Sequence, residues 1–200
     1  MAEPDSVVPD EKDWTWTLQR RCDECGLAAG EVDPATVGPR AAIAGAEWVQ
    51  ILREHPAVEA RPSPGVWSPL EYASHVRDVY RVFESRLTQM LTEDHPAFAN
   101  WDQDETAVLQ SYGEADPEVV AEELAAAAQA FVRLAGRVQP VDRARSGTRS
   151  DGAEFTVDTL LQYFLHDVVH HLWDVTGQQE GAGSLSWVCG ARASRERARS

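Results

Sequence analysis

The chain has 200 residues, 43% of them hydrophobic, and a formal net charge of −15. That length suits one domain with a core of its own plus appendages, and the charge excludes a nucleic-acid partner, which needs clustered Lys and Arg. No apolar run approaches the roughly 18–20 residues that span a bilayer, and the acidic start Met1-Ala2-Glu3-Pro4-Asp5-Ser6 lacks the basic and apolar regions of a signal peptide, so a cytoplasmic protein with no membrane partner is expected.

Residues 1–37 read as an N-terminal arm. Trp14-Thr15-Trp16-Thr17-Leu18 alternates in the manner of a short strand or an extended arm that lays its aromatics on the body. Cys22-Asp23-Glu24-Cys25 follows, then a linker to Arg40. The three cysteines, Cys22, Cys25 and Cys189, are an odd count and do not form a disulfide framework. Cys22 and Cys25 admit three readings: half of a structural zinc site, a redox dithiol, or two ordinary cysteines. A structural site needs two more donors, and Cys189 with His55 or His95 are the candidates outside the histidines considered below.

Residues 38–178 carry the helical signal. From Arg40 to Glu54, Ile43, Ala44, Trp48, Ile51 and Leu52 recur at helical spacing, and His55-Pro56 ends the run. Ser68-Pro69-Leu70-Glu71 opens a second helix with an N-cap, a proline and a capping glutamate, and the pattern continues to Thr92. Residues 94–115 read as an acidic loop. Asp116-Pro117 caps a third helix running through an alanine-rich stretch to Val138. Residues 139–153 are polar, with a turn at Arg149-Ser150-Asp151-Gly152. A fourth helix, Val157 to Val175, is apolar over most of its circumference, the mark of a helix buried among others, and Gly177 stops it. Four amphipathic segments with little strand signal predict an all-α four-helix bundle. Residues 179–200 form a short flexible tail whose last nine residues hold four arginines.

The chemistry concentrates in His166-Asp167-Val168-Val169-His170-His171. His166 and His170 lie one turn apart, about 40° from each other around the helix, so both can reach one metal ion. On the second helix His75 falls within the apolar arc and points into the bundle. Three inward imidazoles match a three-ligand site with open positions; without metal they would leave several buried ring nitrogens unsatisfied. Asp167 is turned about 100° from His166, and with His171 it is expected to stand aside. Further candidates for a base or for substrate contact are Asp167 itself, Tyr72, Tyr163, and Asp102 and Asp104 of the acidic loop.

Two stretches carry a resemblance. Trp67-Ser68-Pro69-Leu70-Glu71-Tyr72-Ala73-Ser74-His75-Val76-Arg77-Asp78-Val79 and Leu165-His166-Asp167-Val168-Val169-His170-His171-Leu172 resemble the two ligand motifs of the DinB/YfiT-like superfamily of four-helix metal proteins. Its members include mycothiol-dependent maleylpyruvate isomerase and bacterial thiol S-transferases. The resemblance covers residues 38–178 and implies a divalent ion, zinc or nickel, at His75, His166 and His170, acting on a small-molecule substrate with water or a low-molecular-weight thiol as nucleophile. A thiol transferase or isomerase is the first expectation and a hydrolase the second. The Cys-x-x-Cys arm departs from the family pattern. The reading from another class is a non-catalytic, stress-associated metal-binding bundle, dimeric through its first or third helix.

Overall fold

The computed structural model describes residues 13–179; the last cysteine, Cys189, and the basic tail lie outside them. Among the described residues there are five α-helices: α1 (Val37–Glu54), α2 (Pro69–Thr92), α3 (Gln103–Leu109), α4 (Pro117–Ala135) and α5 (Val157–Thr176). The signals that mark the long helices act as expected. The Ser68 hydroxyl accepts the Glu71 N–H at 3.2 Å, and the Glu71 carboxylate accepts the Ser68 N–H at 2.8 Å, a reciprocal cap. Asp116 caps α4, with Pro117 as its first residue. α5 ends at Gly177, whose φ of +66° is left-handed, the conformation that glycine adopts without penalty.

The long helices form a bundle in which chain neighbours are not always space neighbours. α1 packs chiefly on α4 and α5, and α2 packs chiefly on the same two. α1 and α2 therefore face each other across the diagonal. Phe131 of α4 stacks on Phe164 of α5 at 3.8 Å between ring centres, and the Tyr80 hydroxyl of α2 donates to the Ala41 carbonyl of α1 at 2.6 Å. At Gly45 a Cβ would stand 2.8 Å from the Ala128 Cβ, so α1 and α4 approach closely there.

Three expectations need correction. A small sheet accompanies the helices: β1 (Ala97–Phe98) runs parallel to β2 (Ser146–Arg149), which pairs antiparallel with β3 (Glu154–Thr156) around the turn at 149–152. These strands are too short and polar to show an alternating pattern. The acidic loop contains α3, capped by Asp102. The Trp14–Leu18 segment is a 3₁₀ helix rather than a strand; Asp13 accepts the Thr15 N–H, and the three-residue period turns Thr17 inward beneath Trp14, where its hydroxyl donates to the Trp14 carbonyl.

The arm lies along α5. Gln162 of α5 donates to the Val32 and Gly30 carbonyls at 2.9 and 3.2 Å, and Cys22, Cys25, Leu27 and Ala29 are buried in the common core. No helix among the described residues is long and apolar enough to cross a membrane.

Candidate metal centre

α5 presents two i, i+4 pairs offset by one residue: His166 with His170, and Asp167 with His171. One residue is about 100° of helix, so the pairs look in different directions. Asp167 and His171 face α2 and meet His75; His166 and His170 face the arm and meet Cys22 and Cys25. Within each set, one donor atom per residue lies within 4.8 Å of all the others. The expected trio of His75, His166 and His170 is thus divided between two clusters. Asp167 and His171, expected to stand aside, are the residues that face His75.

In the first cluster His75 is fully buried, and neither of its ring nitrogens has a hydrogen-bond partner. Its Nε2 stands 3.5 Å from Asp167 Oδ1, and His171 Nε2 stands 3.3 Å from the same oxygen. Donors about 2.1 Å from a tetrahedral ion lie about 3.4 Å from one another, so these spacings suit an ion at their centre. The other His171 nitrogen, Nδ1, is 2.8 Å from Asp174 Oδ2, the carboxylate–histidine arrangement that fixes a ligand's tautomer and tilt. Trp101 stacks flat on His75, with ring centres 5.2 Å apart and planes 4° apart, while Trp67 packs on the same imidazole at 5.4 Å.

The electrostatics are set by burial and by the two carboxylates. Burial drives His75 below the usual imidazole range, keeping it neutral as a ligand must be. Burial opposes the Asp167 charge, but contacts with His171 and His75 outweigh it and hold the carboxyl well below its usual range. Burial likewise opposes charge on His171, and Asp167 with Asp174 overcome it and raise the imidazole. Without an ion the positive charge that the two carboxylates call for sits on His171 as a proton, which that imidazole releases on becoming a ligand.

In the second cluster both cysteines are buried, and neither is in a disulfide. Cys22 Sγ is 3.7 Å from His170 Nδ1, and His166 Nε2 is buried without a partner. Burial and then the neighbouring His170 push His166 down to about 3. Trp14 covers both imidazoles, its ring centre 5.5 Å from His166 and 4.7 Å from His170.

A cavity of about 70 Å³ opens beside both clusters, lined by Trp14, Gln103, Tyr163, His166, Asp167, His170 and His171. By the same measure a water needs about 10–15 Å³, so the cavity admits solvent or a small substrate group. Tyr163 belongs to its wall; burial, then the charge of Asp167, raises its hydroxyl above the usual range. Tyr72 packs its ring 5.3 Å from that of His171. The acidic loop does reach the site, but through Trp101 and Gln103: the Asp102 carboxylate is used as the α3 cap, and Asp104 sits in that helix's first turn without lining the cavity.

The donors expected to complete a Cys22/Cys25 site are elsewhere. His55 ends α1 and accepts the Ala57 N–H, His95 binds Ser146 and Thr148 beside the sheet, and Cys189 lies outside the described residues. Trp14, Trp67, Trp101 and Gln103 stand outside the four periodic segments of the sequence, so no helical face discloses their direction.

Known proteins share this architecture. The profile of the DinB superfamily matches residues 43–175. A solved structure of YfiT from Bacillus subtilis, described as a probable metal-dependent hydrolase with an unusual four-helix bundle topology, superposes with a TM-score of 0.67 at 16% identity, over 86% of this chain and 91% of that one. At that identity the likeness concerns the fold. No curated protein matches the sequence.

Proposed function

Because the chain belongs to the DinB superfamily, we propose that it is a divalent-metal-dependent enzyme of the hydrolase type, with His75, Asp167 and His171 as the ion's ligands. The observation that carries this reading is the fully buried His75, whose Nε2, without a hydrogen-bond partner, stands beside the Asp167 carboxylate in one cluster with the His171 imidazole. An uncompensated ring nitrogen in a core costs free energy, and an ion held by these ligands removes that cost at Nε2. YfiT, which has the same fold and is described as a probable metal-dependent hydrolase, supports the reading further.

When bound, a divalent ion makes a small ligand such as water or a thiol nucleophilic near neutral pH. The chain's own residues supply the rest. Asp174 orients His171, and Trp101 and Trp67 hold the His75 ring in plane. Tyr163 and Gln103 put a hydroxyl and an amide on the cavity wall, where they can bind polar substrate atoms.

The test is metal content and turnover of full-length protein, wild type beside His75→Ala, Asp167→Ala and His166→Ala, assayed on ester and amide panels and separately with low-molecular-weight thiols as co-substrates. His75→Ala and Asp167→Ala are each expected to lose one ion and on the order of 100-fold in hydrolysis. Full metal content in Asp167→Ala overturns the ligand assignment, and turnover only with added thiol replaces the hydrolase by a thiol transferase.

A further inference from the structure

We infer that Cys22, Cys25, His166 and His170 form a closed Cys₂His₂ zinc site, separate from the open centre, that fastens the N-terminal arm to α5. The inference stands on its own donors and does not depend on the reading of His75.

Four observations converge. All four residues are buried and mutually within reach. Their spacings, Cys-x-x-Cys and His-x-x-x-His, are those of structural zinc ligands. The separation of 3.7 Å between Cys22 Sγ and His170 Nδ1 is close to the edge of about 3.5 Å expected between sulfur at about 2.3 Å and nitrogen at about 2.0 Å from tetrahedral zinc. His166 Nε2 is buried with nothing to bind, which is costly unless an ion takes its lone pair.

The backbone is shaped for the purpose. The Gly26 N–H donates to the Cys22 carbonyl and the Cys22 N–H donates to the Leu27 carbonyl, both at 2.9 Å, closing a tight loop around the thiols. Gly26 has a φ of +79°, so the chain reverses immediately after Cys25 in a conformation that other residues resist. His170 turns Nδ1 to Cys22 and its Nε2 toward Glu24 Oε2, 3.6 Å away, and Asp174 Oδ2, 4.0 Å away. Carboxylates behind a ligating imidazole are the usual outer partners. Gln179, just beyond α5, donates to the Asp23 and Glu24 carbonyls, so the loop is held from the helix end as well.

The charge balances. Each thiol releases one proton as it ligates, and two thiolates neutralise one Zn²⁺, leaving a buried site without net charge. With four protein ligands the ion keeps no position for water, which makes the site structural.

The experiment uses untagged full-length chain loaded with zinc and desalted. In the His75→Ala variant, with the open centre disabled, one zinc per chain is expected to remain, and His75→Ala/Cys25→Ser is expected to hold none. Because a cysteine variant can fail to fold, a second measurement uses the wild-type chain loaded with Co²⁺. A thiolate-to-cobalt charge-transfer band and intense tetrahedral d–d bands are expected, and both should persist in Cys189→Ser. The open centre offers no sulfur, so that band reports the closed site alone. No zinc in His75→Ala, no charge-transfer band, or a Cys22–Cys25 disulfide in its place overturns the inference.

Discussion

Trp101 lies flat on His75, 5.2 Å between ring centres and 4° from parallel. The contact joins the segment after α2 to the imidazole that α2 contributes to the cluster. It restricts the rotation of an imidazole that no hydrogen bond orients. Opposite it, Asp174 restricts His171 through a 2.8 Å contact, so each imidazole of this cluster is fixed from behind by a residue outside the proposed ligand trio.

Removing such support has a measurable consequence. Asp174→Ala is expected to weaken binding of the open-centre ion by about 10–100-fold while leaving the fold intact. Chelator competition followed by metal analysis gives the affinity, and a value equal to wild type would show that Asp174 does not orient His171.

Metal removal should loosen the arm. A structural ion contributes several kcal/mol to folding, so exhaustive chelation is expected to lower Tm by on the order of 10 °C and to open the segment around residues 19–27 to limited proteolysis. Calorimetry with and without chelator checks the first point. A Tm indifferent to chelation would count against any structural ion.

Stability should also depend on pH through Glu47 on α1. Burial raises its carboxyl from 4.5 to about 7, so between those values the folded state holds a proton that the unfolded state has released. The associated stability is fully present below about pH 4.5 and is lost as pH rises through about 7. Glu47→Gln, compared with wild type at each pH, is expected to match it near pH 4.5 and to exceed it at pH 8.5 by about 1–2 kcal/mol, an allowance for partial exposure included. Denaturant titrations measure this, and equal differences at both pH values would refute it.

The tight crossing of α1 and α4 sets a further expectation. Gly45→Ala gains about 1 kcal/mol of helix propensity, but its Cβ would stand 2.8 Å from the Ala128 Cβ, and relieving such overpacking costs about 1–3 kcal/mol. A net loss of roughly 1 kcal/mol is expected in urea unfolding, recovered when Ala128→Gly is added. A stabilised single variant would mean that the helices move apart freely.

The parts of the fold that the sequence discloses are those governed by local rules. The capping box at Ser68 and Glu71, the Asp116-Pro117 start and the stop at Gly177 each act over a few residues, and each stands as expected. His75 was legible as an inward residue because its face is apolar. What the helical wheel could not tell was which neighbour stands on each side of α5. His166/His170 and Asp167/His171 are equally good helical pairs, and choosing between them requires knowing that α2 lies on one side and the arm on the other. That is a matter of topology, with α1 and α2 across a diagonal. For the same reason the Cys22/Cys25 pair reads in the sequence as half a site with His55, His95 or Cys189 as further donors, whereas its neighbours in space are on α5, 148 residues away in the case of Cys22 and His170. The resemblance to the DinB superfamily points to the helices that carry the histidines, whereas the side of α5 on which each histidine stands is read from the packing.

The most direct measurement is anomalous scattering at the zinc edge from crystals of the full-length chain grown with zinc. Two peaks are expected, one bounded by His75, Asp167 and His171 and the other by Cys22, Cys25, His166 and His170. A single peak shared by His75, His166 and His170 would contradict the division of the histidines between two sites.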